Sequence, residues 1–145
     1  MCSSPYKFAG VATYRDYHKL VQEEGVASWV RKTADRRVDP KADPEHHQWY
    51  IDQMSQTSQR VVLETLSYLV DQDLTQILPQ IHTPTLILVA EGSVANSPER
   101  TQAMADLMPN ARVLAIPGTT GYVQHSAPEK CVTAWREFIG LLSHG

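Results

Sequence analysis

The sequence has little cysteine, little net charge and no long apolar run, and each shortage excludes a class of protein. Cys2 and Cys131 lie far apart and form no Cys-x-x-Cys pair, so we expect two free thiols rather than a disulfide framework. The formal net charge of −3 gives no electrostatic basis for binding nucleic acid or an anionic membrane. The longest apolar run, around residues 86–90, is far too short to cross a bilayer. No charged segment with an apolar core and cleavage site opens the chain, so we expect a cytoplasmic protein.

The composition is that of a soluble globular protein, and the chain divides into two parts that differ in the spacing of their apolar residues. Its 145 residues, 42% hydrophobic and 20% charged, fit one domain of common size. Helical spacing of apolar residues dominates the first part, which we place at residues 1–72, and strands alternate with helices in the second part, residues 73–145. The pattern predicts an α/β fold in which a helical subdomain precedes a parallel sheet.

The first part is predicted to be helical, with residues that mark where helices begin and end. A helix over residues 14–24 is ended by Gly25, and a shorter helix continues over residues 26–33. Asp43 is a predicted N-cap with Pro44 in the first helical position, which is a favoured way to begin a helix. Another helical pattern covers residues 59–70.

The second part predicts strand, helix, strand, helix. Thr85–Ala90 is a continuous apolar run, as in a strand buried on both faces, and Ala111–Ile116 is the second strand. This spacing indicates parallel strands joined by a right-handed crossover. Ser126 and Glu129 form a predicted capping box that opens the last helix. We expect that helix to bury the apolar residues Val132, Trp135, Phe138, Ile139 and Leu142.

Two parallel strands do not make a self-contained sheet. A parallel sheet requires cover on both faces and protection at its edges. We therefore expect one apolar edge to be open unless another chain covers it, and we expect a homodimer formed across this exposed edge when no partner is present.

Several short motifs of the second part resemble the α/β-hydrolase family. The segment from Leu78 to Glu91 is similar to the family's L-x-x-I-x-x-P-T-L sequence leading into the seventh strand, and Ser97-Pro98-Glu99 resembles the start of the next helix. The segment Met108 to Arg112 is similar to the approach to the eighth strand. Ile116-Pro117-Gly118 resembles the exit from that strand, and Pro128-Glu129 with Phe138 matches the final helix. Five motifs in the correct order and spacing make the resemblance specific.

The resemblance implies a partial α/β-hydrolase sheet, its last two strand–helix units, with residues 1–72 as a cap or lid. Residues 2–6 would then be the tail of the sixth strand. The family's nucleophile elbow, G-x-S-x-G, would lie in a part that this chain lacks. Ser93 is centred in a similar stretch, but Glu91 occupies a position that needs a small residue, which makes Ser93 a poor nucleophile candidate.

The other catalytic positions implied by the resemblance also depart from the family's pattern. Ser93 stands at the acid position, and Gly121 stands at the histidine position. A serine cannot stabilise an imidazolium as a carboxylate does. His125, four residues after Gly121, is either a displaced base or a polar residue near a helix start, and we favour the second interpretation. Ser93 is likewise either a nucleophile or, as we favour, a loop or capping hydroxyl.

No metal or cofactor is indicated. His46 and His47 are adjacent, so on a helix they point about 100° apart and do not face one ligand sphere. We interpret them as solvated residues of the first helical turn. The acyl chemistry implied by the resemblance, of esterase or lactonase type, uses side chains and an oxyanion hole only.

Three hypotheses for function follow. The chain is an α/β-hydrolase-like protein without hydrolase activity of its own; or it is one half of a split hydrolase, completed by a chain that carries the N-terminal half of the fold; or it is a non-enzymatic binding or dimerisation module. The sequence does not indicate a substrate.

Overall fold

The computed structural model describes residues 5–8, 12–93 and 96–143, which form two compact units. A helical unit comprises Tyr6–Asp35 and Pro40–Thr75. A strand-bearing unit comprises Arg36–Asp39 and the chain from Gln76 onward. The short segment Arg36–Asp39 thus belongs to the strand-bearing unit, although in sequence it lies between the two segments of the helical unit. The interpretation of the helical part as a lid stays a prediction.

The helical unit contains α1 (Ala12–Thr33), α2 (Pro44–Ser55) and α3 (Gln59–Leu69). Gly25 interrupts α1 with φ 83° and ψ 171°, so the predicted break between two helical segments is confirmed. Asp43 caps α2 as predicted, since its Oδ1 accepts a hydrogen bond of 2.9 Å from the Glu45 backbone N–H. The core of this unit is formed where α1 packs against α3, and its buried members are Val21, Val26, Trp29, Val30, Val62 and Leu66.

The strand-bearing unit contains β1 (Thr85–Ala90), α4 (Pro98–Ala105), β2 (Ala111–Ile116), α5 (Val123–Ser126) and α6 (Pro128–Leu142). A 3-10 helix, Leu78–Gln80, precedes β1. The two strands are parallel, in a register that pairs Thr85 with Ala111 and Ala90 with Ile116. Both strands have the predicted boundaries, and the predicted α/β architecture is confirmed.

The centre of this unit is β1, which is buried on both faces. On one face its alternate residues pack with α5 and α6 in a cluster of Leu86, Leu88, Ala90, Ile116, Val123, Ala127, Cys131 and Ala134. Ile87 and Val89 point to the opposite face, where α4 packs on the sheet. The near-continuous apolar sequence of β1 is explained by this two-sided cover.

The last helix differs from the prediction at its start and in the face it buries. Ala127, not Ser126, is its N-cap residue, and no side-chain hydrogen bond caps it, so the predicted capping box is wrong. Ser126 instead ends α5, and its hydroxyl donates to the Thr120 carbonyl at 2.7 Å. Of the residues expected to be buried, Phe138 is partly buried on the core, whereas the others are exposed: Val132, Trp135, Ile139 and Leu142. A two-stranded sheet covers only the narrow stripe of α6 that contains Cys131 and Ala134.

Within the described residues the sheet has two strands, and β2 pairs only with β1. The segment predicted as a strand tail, residues 2–6, lies mostly outside the described residues. Tyr6 is described and is not in a strand, while Lys7 forms an isolated antiparallel bridge with Asp73. Among the described helices, none combines the length and apolar content needed to cross a membrane.

Candidate functional site

The two strands end side by side, and the loops that follow them form the candidate site. Because β1 and β2 are parallel and in register, Ala90 and Ile116 lie at the same edge of the sheet. Loops at the carboxyl edge of a parallel sheet are where α/β proteins usually bind ligands. The first loop begins with Glu91-Gly92-Ser93, and the second covers residues 117–122.

Hydrogen bonds between the two loops fix their relative position. The Glu91 carboxylate accepts a hydrogen bond of 3.0 Å from the Gly118 backbone N–H. The Gly92 N–H donates to the Thr119 carbonyl at 2.9 Å. A Cβ on Gly92 would lie 2.9 Å from Thr120 Cγ2 and 3.2 Å from the Thr119 carbonyl oxygen, so a side chain there would require these atoms to shift. Glu91 therefore serves as an anchor for the neighbouring loop.

Ser93 is half-buried and takes part in the turn that follows β1. Its Oγ accepts a hydrogen bond of 3.3 Å from the Asn96 backbone N–H, and its own N–H donates to the Ala90 carbonyl at 3.1 Å. A hydroxyl that accepts from a backbone N–H a few residues ahead is a common way to stabilise a turn. These contacts support the interpretation of Ser93 as a loop hydroxyl.

Gly121 is enclosed by backbone atoms. Its φ is +64°, and a Cβ added to it would lie 2.5 Å from the Arg37 carbonyl oxygen and 2.7 Å from the Arg37 carbonyl carbon. The Arg37 carbonyl accepts a hydrogen bond of 2.6 Å from the Tyr122 N–H, which holds the two segments together. Real Cβ atoms do not approach backbone atoms this closely, so no side chain fits at position 121 without a shift of the backbone.

His125 lies on α5, one turn beyond this loop. It is half-buried, and its ring packs near that of Tyr122, with centroids 6.3 Å apart and an interplanar angle of 31°. Its backbone N–H donates to the Tyr122 carbonyl at 2.9 Å. His125 and Ser93 thus lie on different segments of the same unit, and their described contacts are with different neighbours.

Sequence reasoning missed the segment Arg36–Asp39. The structure brings it against Gly121 and buries Val38 almost completely, with 1% of its surface exposed. The contact joins residues more than eighty positions apart, and no local pattern announces it. The one usable signal was a valine in an otherwise polar loop.

The two histidines considered as metal ligands are engaged separately. His46 stacks on Trp49 with ring centroids 5.7 Å apart. His47 Nε2 lies 3.1 Å from Asp35 Oδ1. Over the ranges described, no group of three or more His, Cys, Asp or Glu side chains is arranged to hold a metal ion.

An open groove of about 510 Å³ lies elsewhere, between α4 and β2. Its described lining residues are Pro98, Glu99, Gln102, Ala103, Asp106, Val113 and Ala115. None of these belongs to the two loops at the carboxyl edge, and none is a serine, cysteine or histidine. The groove therefore does not extend the candidate site.

This architecture resembles part of the α/β-hydrolase fold, and comparison with solved structures confirms the likeness of fold. The chain superposes on a thermophilic esterase from Thermogutta terrifontis with a TM-score of 0.79 and 23% identity, covering 95% of this chain and 53% of the esterase. It superposes on the enol-lactonase from Burkholderia xenovorans LB400 with a TM-score of 0.84 and 13% identity, covering 96% and 54%. An alpha/beta hydrolase enzyme from a Medee basin deep-sea metagenome library gives a TM-score of 0.77 and 17% identity, covering 96% and 54%.

These likenesses confirm the fold predicted from the sequence motifs. The chain spans about half the length of the solved structures that it matches. No protein-family model matches the sequence. No curated protein matches it either.

Proposed function

We propose that this chain is an α/β-hydrolase-like protein that does not hydrolyse acyl esters by itself. The observation that carries the proposal is the enclosure of Gly121 by the Arg37 carbonyl. Position 121 is where the motif resemblance implies the catalytic histidine. The backbone there leaves no room for a side chain, so a histidine at position 121 would require the loop or the Arg37 segment to shift.

The remaining candidate groups support the same conclusion. Ser93, at the implied acid position, carries no charge with which to orient and stabilise an imidazolium. Its hydroxyl is engaged by the Asn96 N–H at 3.3 Å, which does not activate it as a nucleophile. His125 is held beside Tyr122 on α5. Ser93 belongs to the turn that follows β1 and His125 to α5, so the two side chains lie on different segments.

The proposal is tested by assaying the purified chain on p-nitrophenyl esters of short and medium acyl chains. We expect the rate of p-nitrophenol release to equal that of buffer containing a non-catalytic protein. Ser93→Ala and His125→Ala are the matched variants, and we expect neither to change the rate. Hydrolysis above background that either variant abolishes would overturn the proposal.

A second candidate function is one half of a split ester hydrolase. The observation that favours it is coverage, since the chain matches about half of each solved hydrolase while superposing well over nearly its whole length. A second chain would then supply the nucleophile-bearing strands. Affinity purification of the tagged chain from its native cells tests this: a stoichiometric partner that contains G-x-S-x-G, together with ester hydrolysis by the complex, is expected. Purification of the chain without such a partner would exclude this candidate.

A further inference from the structure

The exposed side of α6 carries a straight line of large apolar side chains. Val132, Trp135, Ile139 and Leu142 follow one another at spacings of three, four and three residues, so they share one stripe of the helix. Their exposed fractions are 39%, 38%, 61% and 50%. The neighbouring face of the same helix, with Cys131 and Ala134, is already buried against the sheet. We call these four residues the α6 stripe.

The spacing of the α6 stripe is that of positions a and d in a heptad repeat. Apolar residues at a and d form the seam through which one helix packs along another. The stripe contains no charged residue, while the charged side chains of Glu129 and Arg136 lie outside it. Tryptophan in the middle of such a stripe is also typical of residues that dominate binding energy at protein interfaces.

We propose that the α6 stripe is the interface of a homodimer, in which the same stripe of a second copy packs against it about a two-fold axis. The exposed area is sufficient for this. The four side chains present roughly 350 Å² of apolar surface per copy, within the range of about 300–600 Å² of patches that are often functional. Two copies would bury roughly 700 Å² of apolar surface. With about 57% of an interface apolar, the total is about 1,200 Å², which is the low end for a specific complex and indicates a weak dimer.

The α6 stripe is a better interface than the free edge of β2. Arg112 is exposed on this edge strand, and charged side chains on edge strands oppose pairing with another chain. Strand pairing across the β2 edge would also add little apolar burial, because Leu114 is the one large apolar residue of β2 that is exposed, at 40%. Self-association is thus assigned to the last helix instead of the sheet edge. The assignment does not depend on whether the chain is catalytically active.

The test is sedimentation velocity of the full chain over about 1–200 µM, a range that brackets the micromolar dissociation constant expected of an interface of this size. We expect the wild type to shift from monomer to dimer as the concentration rises. Ile139→Glu and Trp135→Glu each place a charge in the seam, and each should raise the dissociation constant at least tenfold. Val61→Glu on α3 is the matched control, because Val61 is exposed to a similar degree, 44%, but lies in the helical unit. It should dimerise like the wild type.

Three outcomes would overturn the proposal. The wild type could remain monomeric throughout, which would leave the stripe for a different occupant, such as a chain that carries the N-terminal half of the fold. Both stripe variants, with wild-type circular dichroism, could dimerise as well as the wild type. Finally, Val61→Glu could weaken the dimer as much as they do. The esterase assay is a separate measurement, so failure here leaves the proposed lack of activity untouched.

Discussion

At the scale of single residues, two glycines of the loop after β2 can be compared to measure the effect of the Arg37 contact at Gly121. Gly118 and Gly121 both have positive φ, 72° and 64°, which disfavours any L-residue. A Cβ on Gly118 would meet no atom within 4 Å, whereas a Cβ on Gly121 would meet the Arg37 carbonyl oxygen at 2.5 Å. Backbone conformation is therefore matched, and only the steric environment differs.

We predict that Gly118→Ala lowers the free energy of unfolding by about 1 kcal/mol, the usual cost of a left-handed conformation. Gly121→Ala should cost about 3 kcal/mol or more, because overpacking against a backbone carbonyl is added to the same conformational cost. Urea unfolding followed by circular dichroism measures both. Equal effects of the two substitutions would show that the Arg37 contact is looser than the distances indicate.

Asp73 provides a residue-level prediction about pH. Its carboxylate accepts hydrogen bonds from the Thr75 hydroxyl and backbone N–H and forms an ion pair with Lys7 at 2.9 Å. The Thr75 hydroxyl first, and then Lys7, lower the pKa of Asp73 from 3.8 to about 2. A lowered pKa in the folded state means that the pairing stabilises the fold above pH 3.8 and is lost as the pH falls towards 2.

We therefore expect a two-dimensional NMR titration to show the Asp73 carboxyl protonating about two pH units below an ordinary aspartate. Asp73→Asn should flatten the pH dependence of the free energy of unfolding between about pH 4 and pH 2. Asp71→Asn, an exposed carboxylate nearby, is the control and should leave the Asp73 titration unchanged. Protonation of Asp73 near pH 4 would contradict the geometry of the Thr75 and Lys7 contacts.

At the scale of secondary-structure elements, the sequence predicted the strands better than the helix faces. Both strands were predicted at their observed boundaries because β1 is a continuous apolar run that begins after Pro84, and β2 ends immediately before Pro117. The buried face of α6 was mispredicted because apolar residues cover about half of its circumference. The spacing of apolar residues then does not identify which stripe of the helix is buried, because that depends on the elements that pack against it.

The candidate site shows the same division between local and distant information. Motif spacing located the loop, and it identified Gly121 as the residue at the implied histidine position. The Arg37 carbonyl that closes this position belongs to a distant segment, Arg36–Asp39, and its approach follows from tertiary packing alone. The sequence identifies the residue at position 121 as glycine, but it does not indicate that the Arg37 backbone lies against that glycine.

The break in α1 leads to a prediction at the element scale. Gly25 has φ 83° and ψ 171°, a region accessible almost only to glycine, and its position lets both segments of α1 contribute to the core with α3. The atom nearest to a Cβ added at Gly25 would be Gln59 Oε1, 3.9 Å away, which is an ordinary van der Waals distance. We predict that Gly25→Ala lowers the free energy of unfolding by about 1–3 kcal/mol through backbone strain alone.

Gly140 provides the matched control for this prediction. It lies inside α6, and a Cβ there would meet nothing within 4 Å. Gly140→Ala should raise the free energy of unfolding by about 0.5–1 kcal/mol, since alanine favours the helix. Thermal unfolding of both variants should therefore shift in opposite directions. A neutral or stabilising Gly25→Ala would mean that α1 can run straight through residue 25.

At the scale of the whole molecule, the proposed dimer makes stability depend on protein concentration. Any partner that binds only the folded state raises the apparent stability by mass action, and a second copy of the chain is such a partner. Raising the concentration from about 5 to about 200 µM should stabilise each folded copy by about 1 kcal/mol. For a chain of this length that corresponds to an increase in Tm of about 2–4 °C.

Differential scanning calorimetry of the wild type and of Ile139→Glu across this range tests the expectation. The wild-type Tm should rise with concentration, and the Tm of Ile139→Glu should stay constant because its stripe no longer pairs. The rise should persist at high salt, since burial of the uncharged α6 stripe is an apolar effect and Debye screening weakens only interactions between charges. A wild-type Tm that does not change with concentration, or a rise that disappears in salt, would point to a monomer or to association through charged surfaces, and would remove the stripe as the dimer interface.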